Sequence, residues 1–196
     1  MPMAIRLAVH TDLPQILEIY RPYVEKTPYS FEYRLPTLEE FTRRFDAITA
    51  QFPWIVWEED GTVLGYAYGS APFERAAFSW CAELSIYLSP AIQGRGIGQR
   101  MYRILEHILT MQGYTRVYAL IEGSNRPSLA FHEAMGYRQF ADFPDCGYKL
   151  GGWHHIIWME KLLNLVEMPS NFPTPCPLVV KNNISLQKIL DILSSS

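Results

Sequence analysis

The spacing of apolar residues changes period along this 196-residue chain, and each change marks an element. Residues 5–9 have the short apolar character of a first strand. Leu13, Ile16, Leu17, Tyr20 and Val24 then recur every three or four positions, one face of an amphipathic helix with Thr11 or Asp12 as its cap. An aromatic loop over residues 27–33 separates it from a second helix. That helix opens on a capping box, Thr37-Leu-Glu-Glu40, and carries Leu38, Phe41, Phe45 and Ile48. Residues 54–57 and 63–68 form two strands joined through Asp60-Gly61, a strong hairpin signal. A long strand is predicted over residues 78–88. Ile97, Met101, Ile104, Leu105 and Ile108 return to helical spacing, and Gly113 is a natural stop. A strand over Arg116–Glu122, a short helix over residues 128–135 closed by Gly136, and strands over 137–140 and 154–160 complete the pattern.

The order is strand, two helices, three strands, helix, strand, helix, two strands. It implies an α/β class domain with a mixed sheet, antiparallel early and partly parallel later. The composition changes after Lys161. Residues 168–177 form an extended, proline-rich segment, and 182–196 carry a weak helical pattern around Leu186, Ile189, Leu190 and Leu193. The predicted organisation is one domain over residues 1–165 and a C-terminal extension over 166–196, not a second domain.

The junction between the long strand and the third helix holds the most informative chemistry: Gln93, Gly94, Arg95, Gly96, Ile97, Gly98. Glycines let a chain turn tightly and approach a ligand closely. Successive N–H groups then point into one concavity at the positive end of a helix, a cradle for pyrophosphate, and Arg95 adds a cation. No Gly-Lys-Ser/Thr follows, so this is not a Walker loop, and the spacing is not that of a dinucleotide fingerprint. A plain turn is the alternative.

Bulk properties narrow the classes. An apolar content of 48% and a charged content of 19% are those of a folded globular protein. A net charge of −3 and a pI near 6.0 argue against general nucleic-acid binding. No apolar stretch is long enough to span a bilayer, and the first residues lack a signal-peptide core. Cys81, Cys146 and Cys176 are odd in number and widely spaced, as expected of a reduced, cytoplasmic protein.

The element order, with Gln93-x-x-Gly96-x-Gly98 at a strand–helix junction, resembles the GNAT acyl-CoA N-acyltransferases. Three further blocks are similar to the phosphinothricin / methionine sulfoximine N-acetyltransferase branch: Glu83-Leu-Ser-Ile-Tyr-Leu-Ser-Pro90, the run from Asn125 through Ser128 and His132 to Gly136-Tyr137, and Tyr148-Lys-x-Gly-Gly-Trp-His154. The resemblance covers roughly residues 3–165, and the tail beyond about residue 180 has no counterpart. It implies the GNAT fold, acetyl-CoA as cosubstrate, no metal, a small-molecule amine as the partner, and a homodimer.

It also implies roles. Backbone of Ile86, Tyr87 and Leu88 would pair with the pantetheine arm like an added strand. The Leu88 N–H would serve the thioester oxygen as an oxyanion-hole donor. Gln93 to Gln99 would hold the pyrophosphate, with Asn125 and Ser128 nearby. Glu83 is the base candidate. Strand alternation puts it with Cys81, Ser85 and Tyr87 on one face, where a carboxylate is costly unless solvated or paired. A base and a salt-bridged sheet-edge carboxylate are both open on pattern alone. His132 stands where many GNAT members have a tyrosine acid; it is read as acid, base or substrate ligand, against a structural histidine. Arg75 is a candidate clamp for an amino-acid carboxylate, against a solvated loop arginine. Phe31 and Tyr87 are candidate walls of the acceptor pocket, against plain core packing. Phe78 stands where close relatives are expected to carry tyrosine. His154-His155 is no convincing metal pair, because adjacent strand residues face opposite ways.

Overall fold

The computed structural model describes residues 3–165, 167, 169 and 171–182. In chain order they form β1 (Met3–Leu7), α1 (Leu13–Lys26), α2 (Leu38–Thr49), β2 (Trp54–Glu59), β3 (Thr62–Ser70), β4 (Cys81–Leu88), α3 (Ile97–Gln112), β5 (Arg116–Glu122), α4 (Arg126–Ala134), β6 (Arg138–Lys149), β7 (Gly152–Leu162) and α5 (Cys176–Asn182). The strands make one seven-stranded sheet in the order β1-β2-β3-β4-β5-β7-β6. Only β4 and β5 are parallel. No helix among the described residues is long and apolar enough to cross a membrane.

The predicted apolar faces are the buried ones, except that Leu38 in the first turn of α2 is exposed. Leu13, Ile16, Leu17, Tyr20 and Val24 of α1 join Phe41 and Phe45 of α2 over Trp54, Val56 and Tyr66 on one side of the sheet. Met101, Ile104, Leu105 and Ile108 of α3 fill the larger core on the other side. The capping box of α2 forms in both directions: Glu40 N–H donates to Thr37 Oγ1 at 3.2 Å, and Thr37 N–H donates to Glu40 Oε2 at 2.8 Å.

One feature of the sheet positions the site. β4 stays paired with β3 from Glu83 to Leu88, and β5 stays paired with β7 to Glu122. β4 and β5 pair with each other only from Cys81↔Arg116 to Glu83↔Tyr118. Beyond Glu83 the two strands part, and the sheet opens into a V.

Several boundaries differ from the predicted ones, β1 among them, which spans Met3–Leu7 and not residues 5–9. β4 begins at Cys81, not at residue 78, because Ala76–Phe78 closes a 3₁₀ turn in which Phe78 N–H donates to Arg75 O at 2.9 Å. β6 and β7 are much longer than residues 137–140 and 154–160 and form a hairpin. Within the proline-rich segment, α5 starts at Cys176, with Pro177 in its first turn where a missing N–H costs nothing. The helix predicted over 182–196 lies almost wholly outside the described residues.

Candidate active site

Strand parity decides which backbone groups face the V. Ser89 N–H donates to Leu64 O on β3, so the odd-numbered residues of β4 bond toward β3. Leu84, Ile86 and Leu88 therefore turn their N–H and C=O groups toward the opening. Tyr87 pairs with Tyr66 and turns its backbone away. Its ring packs edge-on against Tyr20 and Tyr23, at 4.9 and 5.1 Å.

Leu88 shows this directly, and with a partner the sequence did not suggest. The Tyr23 hydroxyl on α1 donates to Leu88 O at 2.7 Å and accepts from Leu88 N–H at 3.3 Å. Gln93 Nε2 also donates to Leu88 O, at 3.3 Å. The Leu88 amide, expected as an oxyanion donor, is thus engaged by Tyr23. Ile86 is the other cleft-facing residue at this end of the strand.

The V continues into a cleft of about 730 Å³ against the start of α3. Its lining includes every residue predicted to hold the cosubstrate except Tyr87 and Arg95. Gly94 and Gly96 both adopt a φ of +75°, a conformation costly for residues with a side chain. A Cβ at either position would meet no atom within 4 Å. These glycines are there for backbone conformation and for an open approach, not for want of packing space. Gly96 caps α3, so the first N–H groups of a 16-residue helix face the cleft mouth. Gly98 serves packing instead. A Cβ there would lie 3.3 Å from the Phe131 ring, so its absence lets α4 pack close to α3. Arg95 turns aside and pairs with Glu59 at 2.7 Å. Asn125 caps α4, accepting from Ser128 N–H at 3.3 Å.

His132 lies deeper, 3% exposed, beside a small recess that also touches Tyr23, Ile86 and Ser128. Its Nδ1 is 2.8 Å from the Ser128 carbonyl, which only accepts, so Nδ1 carries the hydrogen. Nε2 is then the acceptor, and its donor is the Tyr102 hydroxyl at 2.9 Å. Burial pushes the His132 pKa down to about 4, so the ring is neutral at neutral pH. Burial also holds the Tyr102 phenol protonated. Tyr102 was missed in the sequence, although a hydroxyl on an otherwise aliphatic buried helix face requires a partner.

Glu83 sits on the opposite face of β4, at the last rung of the β4–β5 pairing. Burial pushes its pKa up to about 7. The salt-bridge alternative is not what forms: Glu83 has no ion pair with any described residue. A carboxyl poised between its two forms at neutral pH is suited to general-base work.

The other predicted residues are distributed around this face. Arg75 is exposed in the middle of the β3–β4 loop, and its guanidinium forms no ion pair with the described residues. Phe31 stands against the β6–β7 hairpin. Its ring covers Gly147 of β6, where a Cβ would lie 2.2 Å from it. Lys149 Nζ donates to Ser30 O at 2.5 Å, and the Tyr33 hydroxyl donates to Tyr148 O, so the aromatic loop is fastened to the β6–β7 hairpin. His154 Nδ1 meets Glu122 at 3.0 Å, whereas His155 Nδ1 meets Asp142 at 3.0 Å, so the two rings serve different partners.

Comparison with known proteins gives the class. The sequence matches the acetyltransferase (GNAT) domain family over residues 5–158, and the chain belongs to that family. It is 32% identical to the phosphinothricin N-acetyltransferase of Streptomyces viridochromogenes, over 86% of this chain and 92% of that one. It is 34% identical to the L-methionine sulfoximine/L-methionine sulfone acetyltransferase of Pseudomonas paraeruginosa, over 84% and 96%. Among solved structures, the phosphinothricin acetyltransferase of Sinorhizobium meliloti in complex with acetyl-CoA superposes with a TM-score of 0.80 at 35% identity, covering 89% of this chain and 94% of that one.

Proposed function

We propose that the protein transfers acetyl from acetyl-CoA to the α-amine of a small amino acid or amino-acid analogue, of the phosphinothricin or methionine sulfoximine type, by direct attack in a ternary complex. The observation that carries this reading is the V between β4 and β5. It turns strand-edge groups of Ile86 and Leu88 away from the sheet beside a glycine-rich helix start, with a carboxyl of pKa about 7 on the other face of β4. The amide arm of acetyl-CoA pairs with Ile86 and Leu88, and its pyrophosphate sits on the N–H groups of the Gly94–Gly98 segment. Ile86 N–H is the cleft-facing donor for the thioester oxygen. Glu83 takes the proton of the acceptor ammonium, directly or through water. The coenzyme A thiolate departs on the His132 side and takes its proton from the Tyr102 hydroxyl, whose hydrogen His132 Nε2 otherwise accepts, and cleft water returns a proton to the phenolate.

Two expectations follow from the geometry. Tyr23 makes with Leu88 the same two bonds that an amide arm makes, so arm and hydroxyl compete. Tyr23→Phe is expected to tighten acetyl-CoA binding about two- to tenfold, the worth of about one net hydrogen bond. Calorimetry reads this directly, and weaker binding would place the hydroxyl on the cosubstrate instead. Arg75 has a free planar fork for a carboxylate, which lysine does not reproduce. Arg75→Lys is expected to raise KM for amino-acid acceptors about tenfold or more and leave KM for acetyl-CoA unchanged. Initial rates with an amino acid and its decarboxylated amine test the substrate class. Equal use of both by the parent enzyme would remove the carboxylate from recognition.

A further inference from the structure

Residues 171–176 run along the end of the sheet where β4 begins, outside the span of the family match, which ends at residue 158. They are anchored from both sides. Thr174 N–H donates to Gln112 O at 2.8 Å, and Gln112 Nε2 donates back to Thr174 O at 2.7 Å. Cys176 N–H donates to Gln51 O at 3.0 Å, and its side chain is part of the main core. Upstream of this anchor, the Phe172 ring stacks on Trp80 with centroids 5.1 Å apart and planes 17° from parallel. Trp80 Nε1 donates to Asn171 O at 3.1 Å. Trp80 is the last residue before β4, two positions after the 3₁₀ turn that follows Arg75, so the extension grips the base of the loop carrying that arginine.

A cavity of about 350 Å³ lies beneath the same loop. Phe73, Arg75 and Phe78 supply its walls from the β3–β4 connection, Cys81 from the start of β4, and Phe172 and Pro173 from the extension. Cys81 shares its strand face with Glu83 two residues on, a separation of about 7 Å at the usual rise of a strand. An acceptor with its carboxylate on Arg75 and its amine near Glu83 would have its remaining bulk bounded by the extension.

We propose that the C-terminal extension is a specificity element of the acceptor site, with Phe172 as the wall that limits acceptor length. This rests on the reading of Arg75 as the carboxylate clamp. Phe172 is 65% exposed, so trimming it leaves the core and the Cys176 anchor in place.

The test compares the parent with Phe172→Ala and Phe172→Leu, using methionine sulfone and an analogue whose side chain is longer by two or three methylenes. Thiol release from acetyl-CoA gives kcat/KM for each acceptor. The expected result is a rise of about tenfold in the long-to-short ratio for Phe172→Ala, and a smaller rise for Phe172→Leu. KM for acetyl-CoA and the melting temperature should stay at the parent values. An unchanged ratio in a folded, active Phe172→Ala variant overturns the wall but leaves acetyl transfer standing. No turnover of either acceptor by the parent, with acetyl-CoA bound, overturns both. Equal loss on both acceptors in both variants also refutes the wall, because it assigns Phe172 a purely structural role.

Discussion

Glu83→Gln is expected to lower turnover by about 10²–10⁴-fold while leaving acetyl-CoA affinity close to that of the parent. The amide keeps the shape of the carboxyl and cannot accept the ammonium proton. The pH dependence separates this from a structural effect. Burial raises the Glu83 pKa to about 7, so the base form is gained as pH rises through that value. The parent profile of kcat/KM should therefore fall on the acid side with an inflection near pH 7. In the variant that inflection should vanish, and the residual rate should climb at high pH, where the free amine forms unaided. The same burial has a cost for the fold. A carboxyl whose folded pKa lies above its unfolded value favours the native state below the unfolded pKa, and that contribution is lost as pH rises from about 4.5 to about 7. Glu83→Gln should accordingly be more stable than the parent at pH 8, by about 1–3 kcal/mol, and equal to it near pH 4. Thermal melts at both values check the sign. A superimposable pH–rate profile would remove Glu83 from the chemistry.

Gly96→Val should weaken acetyl-CoA binding by about tenfold or more. Two effects add. The residue sits at φ +75°, where a side chain costs about 1–2 kcal/mol and a β-branched one more. Its Cβ would also project into the open cleft, against the space a pyrophosphate needs. Gly96→Ala should show a smaller loss. S-acetylpantetheine lacks the pyrophosphate, so its KM should change little in either variant. Equal losses for both thioesters would mean that the substitution disturbs the whole cleft and not a phosphate cradle.

Much of this was legible in residue spacing. α1, α2 and α3 carry strong helical periods because each lays a single apolar face on the sheet; of the residues expected on those faces, Leu38 at the start of α2 lies exposed. The glycine junction was legible because positive φ and a helix start demand glycine at known offsets. β6 was not. It is an edge strand, largely exposed, with register shifts at Gln139/Ala141 and Phe143/Gly147, a positive φ at Asp145, and Pro144 between them. Bulges and an exposed edge erase the alternation that marks a strand. Residue type alone was enough to single out Glu83 and Arg75 as candidates, and their roles belong to the proposal. The site was illegible where chemistry depends on contacts between distant segments. Tyr23 meets Leu88 from 65 residues away, and Tyr102 meets His132 from 30. The hydroxyl of Tyr102 on a buried helix face signals that a partner exists, but neither separation says which residue it is. Arg95 shows the converse: a cation inside a phosphate motif that Glu59 holds in an ion pair.

Acetyl transfer to an α-amine beside a carboxylate is tested most directly by one assay: thiol release from acetyl-CoA, with mass spectrometry of the product. The acceptors are phosphinothricin, methionine sulfone, the decarboxylated amine of each, a polyamine and a peptide with a free N-terminus. The expected result is rapid release with the two amino-acid analogues, an N-acetyl group on their α-nitrogen, and little release with the decarboxylated amines. Preference for the polyamine or the peptide, or release without an N-acetylated product, would contradict it.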